Sequence, residues 1–264
     1  MLSQPFLTRF LSICLLALAV FLGGCGKDRG IDDVTADELY TRAKSAMDAS
    51  SWDRSISLYK ALQTRYPFGR YTEQSMLDLS YVYFRRGATE EALSTLDRFI
   101  RTYPTHPSVD YAYYLKGLAD FKDSNSIIDR ITGGYDFSDR DPTAALAAYK
   151  DFSILLEKFP ESRYADDARQ RMRFILEALA VHEIKVARHY MKIEAYVAAL
   201  NRTKYVIENY QRTPSVEDAL GIQSTIYSKI GMPELANDSL RVLKLNFPDS
   251  RYIKKVEKLL QGES

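Results

Sequence analysis

An all-α chain built from repeated helical hairpins is what this 264-residue sequence predicts, and three observations predict it. An aromatic residue followed by proline closes four apolar-periodic stretches, at Tyr66-Pro67, Tyr103-Pro104, Phe159-Pro160 and Phe247-Pro248. Counting back from each aromatic, the residue eleven earlier is small (Ser55, Ala92, Ala148, Ala236) and the residue four earlier is apolar (Leu62, Phe99, Leu155, Leu243). Sixteen earlier, where a tight turn between two helices is wanted, glycine recurs at Gly87 and Gly231. A small residue lets two helix backbones approach, glycine releases the chain into a turn, and proline cannot continue a helix. A fifth, weaker copy ends at Tyr210, with Ala199 and Val206 in register and the proline displaced to Pro214.

The pattern resembles the tetratricopeptide repeat. Successive ends lie 37 residues apart at Tyr66 and Tyr103, and again at Tyr210 and Phe247, against about 34 in the standard repeat. The excess belongs to the loops between hairpins. The prediction is a helical-hairpin solenoid of five tetratricopeptide-like repeats with a carboxy-terminal capping helix; an irregular all-α bundle is the alternative.

Residues 1–24 read as a lipoprotein signal peptide that precedes the fold. Arg9 supplies positive charge, Phe10 to Leu22 form an apolar run of thirteen residues, and Leu22-Gly23-Gly24 places small residues directly before Cys25. A bilayer span needs about 20 apolar residues, so this run is too short for one; an ordinary secretory signal is the other reading. Cys14 leaves with the signal, so Cys25 is the only cysteine of the mature chain and no disulfide is available. The Leu-Gly-Gly-Cys arrangement resembles a lipobox, which implies covalent lipid on Cys25 and no other cofactor. Several acyl chains anchor stably where one is marginal. Gly26 is not the aspartate that retains lipoproteins in the inner membrane of enteric bacteria, and that resemblance favours the outer membrane.

Residues 25–34 form a polar tether, and residues 35–121 the amino-terminal repeats, comprising two hairpins and the first helix of a third. Thr35 is placed as N-cap of the first helix with Glu38 as its capping-box partner, and Trp52 sits beside the turn. The third hairpin opens with Tyr111, Tyr113 and Tyr114, then Gly117 and Phe121. Aromatics on more than one face are either core on both sides or a stacking surface. Residues 122–141 read as an inserted loop, because 56 residues separate Tyr103 from Phe159. The insertion contains Gly133-Gly134 and ends in Asp141-Pro142, with Asp141 placed as N-cap of the next helix. Residues 142–264 hold the carboxy-terminal repeats. Neither glycine nor proline occurs from Glu161 to Thr213, which predicts an unusually long bridging helix from about Ala165 to Tyr190. Lys254, Lys255, Glu257 and Lys258 suit the polar face of a capping helix over Ser250 to Gln261.

Beyond the signal the chain carries 35 basic and 35 acidic residues. That balance lacks the basic stripe nucleic acid requires. His182-Glu183 starts like a zinc-protease motif, but Val186 stands where the second histidine is needed, and His189 makes only a two-histidine site. No Gly-rich phosphate loop, G-x-S-x-G elbow or cysteine–histidine pair occurs. Glu90-Glu91 and Asp166-Asp167 sit near helix starts, where the dipole stabilises them. An enzyme is the weaker class, and a surface for another polypeptide the stronger.

Several stretches point further: Arg65-Tyr66-Pro67-Phe68-Gly69, Asp97-Arg98-Phe99-Ile100, Pro104-Thr105-His106-Pro107 followed by Asp110-Tyr111, Asp139-Arg140-Asp141-Pro142 and Asp151-Phe152-Ser153. With the lipobox, they resemble the BamD family of outer-membrane assembly lipoproteins over nearly the whole chain, in order. The resemblance implies a non-enzymatic scaffold and substrate-recognition subunit of the β-barrel assembly machinery, lipid-anchored on the periplasmic face of the outer membrane. Implied partners are the POTRA region of BamA, the smaller lipoproteins of the complex, and the carboxy-terminal segments of unfolded outer-membrane proteins. The runner-up is another periplasmic repeat lipoprotein, such as a peptidoglycan-associated or competence factor.

The first helix of a tetratricopeptide hairpin faces the concave side, so counting back from the small residue puts Tyr40, Leu77, Tyr81, Phe84 and Arg85 on a candidate peptide groove, with Tyr114 as a neighbour. Arginine offers a bidentate partner to a carboxylate and tyrosine a flat apolar contact; simple core packing of these residues is the other reading. In the fourth hairpin, Val197 to Arg202 resembles the family segment whose arginine contacts BamA, which makes Arg202 the candidate contact. Arg202 lies about 300° round the helix from Ala199. Val206 and Ala198 at its i±4 positions cannot pair with it, and a partner on a neighbouring hairpin is the alternative.

Overall fold

The computed structural model describes residues 34–133 and 142–261, and only the backbone of 122–133. Cys25, the signal, all but the last residue of the tether, and Asp141 lie outside the described residues. Those residues form eleven helices and no strand: α1 Ala36–Asp48, α2 Trp52–Arg65, α3 Arg70–Arg86, α4 Thr89–Thr102, α5 Val109–Gly133, α6 Thr143–Lys158, α7 Ala165–Lys192, α8 Tyr196–Asn209, α9 Ser215–Lys229, α10 Pro233–Asn246 and α11 Tyr252–Leu260. They pair in order as five tetratricopeptide-like hairpins followed by α11, the expected capping helix.

Two compact units divide the chain, residues 1–75 and 76–264. In the first, α1 buries Leu39, Ala43, Ala46 and Met47, and α2 buries Ser55, Ile56, Leu58, Tyr59 and Leu62. Ser55 is polar at the small position, and its hydroxyl is satisfied by donating to the Ala43 carbonyl at 3.0 Å. Thr35 caps α1 by accepting from the Glu38 amide at 3.3 Å. The reciprocal half of the capping box is replaced, because Glu38 accepts from Arg42 Nη2 at 2.7 Å. In the second unit each helix from α4 to α10 packs on the next, and α11 lies on both α9 and α10.

The register holds in every copy. Ser55, Ala92, Ala148, Ala199 and Ala236, and with them Leu62, Phe99, Leu155, Val206 and Leu243, are all fully buried. Each closing aromatic leaves its helix with φ between −124° and −137° while its amide still donates to the carbonyl four residues back. Proline drives the residue before it out of the α region. The four aromatics that precede proline reach ψ of 60° to 73°, whereas Tyr210, which lacks one, stops at 39°.

In the four copies without the insertion, the turn position sixteen before the aromatic is left-handed even where it is not glycine: Ser50 has φ 55° and Glu194 φ 60°, beside Gly87 at 85° and Gly231 at 76°. An L-residue in this region costs roughly 1–2 kcal/mol, partly offset by the greater freedom glycine loses on folding. Ser50→Gly and Glu194→Gly should therefore each stabilise the chain by about 0.5–1 kcal/mol. The check is a higher urea midpoint at unchanged m-value, with Gly231→Ala moving the opposite way.

The first part of the expected inserted loop is helical. Helix α5 runs on to Gly133, so residues 122–133 are helical and not loop. The stretch from Asp123 to Thr132 holds serine and asparagine but no glycine or proline; such residues are weak helix formers and not breakers. The described helix ends at Gly133. The long bridging helix is present as α7, whose buried residues run from Ala165 to Ala187.

Candidate partner-binding surfaces

Tyr40 belongs to the first unit and the other five proposed groove residues to the second. Tyr40 is half-buried, its ring 6.1 Å from that of Tyr59 and 5.5 Å from that of Tyr71. Leu77 is a correction: it is 1% exposed and sits in a core cluster with Met76, Leu96, Phe99, Ala112 and Leu115. Residues 77, 81 and 84 share one helical stripe, and that stripe turns from core to surface along α3. Tyr81 and Phe84 are half-buried against the same cluster. Arg85 is exposed, with Nη1 donating to the Tyr81 hydroxyl at 2.6 Å.

Tyr114 is the member of the set around which further groups gather. Its ring stacks on Tyr164 at 4.6 Å and 14°, and Tyr164 also meets Tyr111 at 5.5 Å. The Tyr114 hydroxyl donates to Asp167 Oδ2 at 2.7 Å, and Arg171 Nε donates to the same carboxylate oxygen at 2.5 Å. Burial, then the Asp167 carboxylate, pushes the Tyr114 hydroxyl up to about 12. Burial likewise raises Tyr111, helped by Tyr164, Tyr81 and Asp78. Burial pushes Asp167 upward too, but the hydrogen bonds from Arg171 and Tyr114 outweigh it and hold the carboxyl below its ordinary value. Arg163 lies 4.8 Å over the Tyr164 ring, and Arg171 5.1 Å over Phe121. Tyrosines from α3, α5 and the start of α7 thus share one surface edged by Arg85, Arg163 and Arg171. Neutral phenols and fixed guanidinia suit aromatic and carboxylate groups of a peptide.

Sequence reasoning missed Tyr164, Arg163 and Arg171, although a signal was present. Aromatic-Pro-x-(Gly/Ser)-Arg-Tyr occurs at 66–71, 159–164 and 247–252. In each copy the arginine covers the tyrosine ring, at 4.8, 4.8 and 5.2 Å. Each copy also reaches an aspartate in the first turn of the preceding hairpin: Tyr71 donates to Asp37 at 2.5 Å, Ser162 to Asp110 at 2.7 Å, and Tyr252 to Asp218 at 2.6 Å. The motif clasps one hairpin to the next.

The last clasp predicts a pH response. Asp218 also pairs with Arg188 at 2.8 Å and Arg251 at 2.9 Å. Burial raises its carboxyl, but the Tyr252 and Arg251 hydrogen bonds and the Arg188 charge more than offset this, and the pKa falls below the ordinary value. A depressed carboxylate contributes stability above its unfolded pKa of about 3.9 and loses it as pH falls through the folded value. Asp218→Asn should lower the thermal midpoint at neutral pH and flatten its decline in acid. An unchanged acid limb in this variant would show that Asp218 does not drive it.

In the carboxy-terminal repeats Arg202 pairs within the chain. Its Nη1 lies 3.1 Å from Glu183 Oε2 and 3.5 Å from Oε1, on α7. The Arg202 side chain is 44% exposed and that of Glu183 13%. Among the described residues no group of three or more His, Cys, Asp or Glu could hold a metal ion, and no helix is long and apolar enough to cross a membrane.

Comparison with known proteins finds the YfiO family, described as outer membrane lipoprotein, matching residues 32–243. An outer membrane protein assembly factor BamD of Neisseria meningitidis serogroup B is 41% identical over 249 residues, covering 94% of this chain and 92% of that protein. The factor of the same name from Xylella fastidiosa strain Temecula1 is 35% identical, covering 91% and 83%. That of Vibrio cholerae is 35% identical, covering 88% and 96%.

Proposed function

The chain belongs to the YfiO family of outer membrane lipoproteins, and from that premise we propose that it is a non-enzymatic scaffold and substrate-recognition subunit of outer-membrane protein assembly. Its role in that assembly and its association with the outer membrane follow from the family and from relatives matching over most of the chain. In the finer reading, acylated Cys25 holds the chain on the periplasmic face, and Arg202 contacts the POTRA region of the barrel subunit BamA. The surface of Tyr81, Tyr111, Tyr114 and Tyr164 receives carboxy-terminal segments of unfolded outer-membrane proteins. The observation that supports the peptide reading is the meeting of these tyrosines, with Arg85, Arg163 and Arg171 at their edge. An aromatic terminal side chain would lie on a tyrosine face while its carboxylate takes an arginine.

A photocrosslinker in place of Tyr81, offered a synthetic carboxy-terminal peptide of a barrel protein, tests this. Labelling is expected, and amidating the peptide terminus should weaken it about tenfold, the loss of one charge-assisted contact. No labelling at position 81, with labelling from a photocrosslinker placed instead at exposed Val197 on α8, would place peptide binding elsewhere.

A further inference from the structure

Among the described residues of the first unit, the most exposed large apolar side chain is Phe68, 88% exposed in the turn between α2 and α3. The turn that presents it is built and fixed. Gly69 takes φ 103°, the Thr72 hydroxyl donates to the Tyr66 carbonyl, and the Thr72 amide donates to the Gly69 carbonyl at 2.9 Å. Arg65 and Arg70 flank it and are exposed. Covering a phenylalanine ring this exposed would be favourable.

The length of chain ahead of the fold says what covers it. The Tyr66 hydroxyl donates to the Val34 carbonyl at 3.0 Å, and Val34 is buried. Val34, the first described residue, therefore lies against the Tyr66 side chain, two residues before Phe68. Only eight residues lie between Cys25 and Val34, a reach of about 30 Å over the nine steps at full extension. The opposite end of the α1/α2 hairpin, at Ser50 and Trp52, is about 20 Å farther along the helices. Phenylalanine on an interfacial segment buries at the boundary of headgroups and acyl chains, and basic side chains meet lipid phosphates there.

We propose that the Pro67-Phe68-Gly69 turn is a membrane-contact point, with Phe68 seated at the boundary of headgroups and acyl chains of the phospholipid surface that holds the acylated Cys25. Arg65 and Arg70 face the phosphates. The contact rests on the acylation of Cys25, and it makes the lipid anchor an orienting device: two points fix the first unit on the bilayer where a tether alone leaves it free to turn.

Trp52 is the only tryptophan, which allows a direct test. The acylated mature chain carrying Trp52→Phe and Phe68→Trp is reconstituted in vesicles of phosphatidylethanolamine and phosphatidylglycerol whose acyl chains are brominated near the headgroup. Its emission is expected to fall at least about twofold, while the unsubstituted chain, reporting from Trp52 at the far end of the hairpin, keeps its emission. Unquenched emission from a chain whose intact mass carries the lipid overturns the membrane contact and leaves the anchor standing. A mature chain without lipid on Cys25 overturns the anchor and, with it, the reach on which the contact depends. Shielding of the new indole from iodide by the barrel subunit, and not by vesicles, would assign the turn to a protein partner and refute the lipid contact.

Discussion

Gly117→Ala should destabilise the chain by about 2 kcal/mol, although alanine is the better helix former by about 1 kcal/mol. A Cβ built on Gly117 would stand 2.5 Å from Phe152 Cε1, and 2.7 and 2.8 Å from two further atoms of that ring. Phe152 is fully buried on α6 and cannot swing into solvent. Helices α5 and α6 must separate or the ring must leave its rotamer, and overpacking of this kind costs about 1–3 kcal/mol. The thermal midpoint should fall by about 4–8 °C for a domain of this size. Phe152→Leu, which destabilises alone, should recover part of the loss when combined with Gly117→Ala. A midpoint that rises in Gly117→Ala would mean that helix propensity outweighs contact and that α5 and α6 do not approach so closely. At Gly221 the conflicting group is the ring of Tyr252, whose hydroxyl is held by Asp218; Gly221→Ala should also destabilise, because moving that ring outward breaks the clasp.

What the sequence disclosed and what it concealed divide along the range of the forces involved. The small and apolar positions were legible because each hairpin needs the same close approach and the same buried anchor. Ala199 and Val206 meet that need even without the closing proline. The helical part of the insertion was concealed because a change of period says that residues are added, not what they form; only the absence of a breaker before Gly133 bears on that. Leu77 was misplaced because face counting cannot tell where a stripe passes from core to surface. The clasps are the instructive omission. Arg70-Tyr71, Arg163-Tyr164 and Arg251-Tyr252 repeat in plain view, yet their aspartates lie in the preceding hairpin, 34 residues earlier for Asp37 and Asp218 relative to their tyrosines. The same long-range blindness hid the partner of Arg202, since an i±4 search sees only the arginine's own helix and Glu183 is nineteen residues back.

Arg202→Ala is expected to weaken association with the barrel subunit by about 2 kcal/mol, roughly thirtyfold, as truncation of a buried interfacial arginine does. The pair with Glu183 changes how this effect arises. Glu183 is largely buried and engages one nitrogen of the guanidinium, while the Arg202 side chain stays 44% exposed. Guanidinium has five donors in a fixed fork, so most of them remain for a carboxylate on a partner. Holding the group in one orientation before contact lowers the entropy lost on binding. Tyr205, 45% exposed and three residues on, supplies an apolar neighbour on the same side of α8. The pair is exposed on the arginine side and largely buried on the Glu183 side, so Arg202→Ala, which leaves that carboxylate without its cation, should keep helicity and lower the thermal midpoint modestly. Glu183→Gln keeps the side-chain volume and removes the charge that orients Arg202; it should weaken association by a smaller factor, about three- to fivefold, a fraction of the full contact. Peptide labelling at Tyr81 should be unaffected by either change. If Arg202→Ala binds the barrel subunit normally and melts lower, the Glu183 pair is the whole role of Arg202, and the interface lies on another face of these repeats.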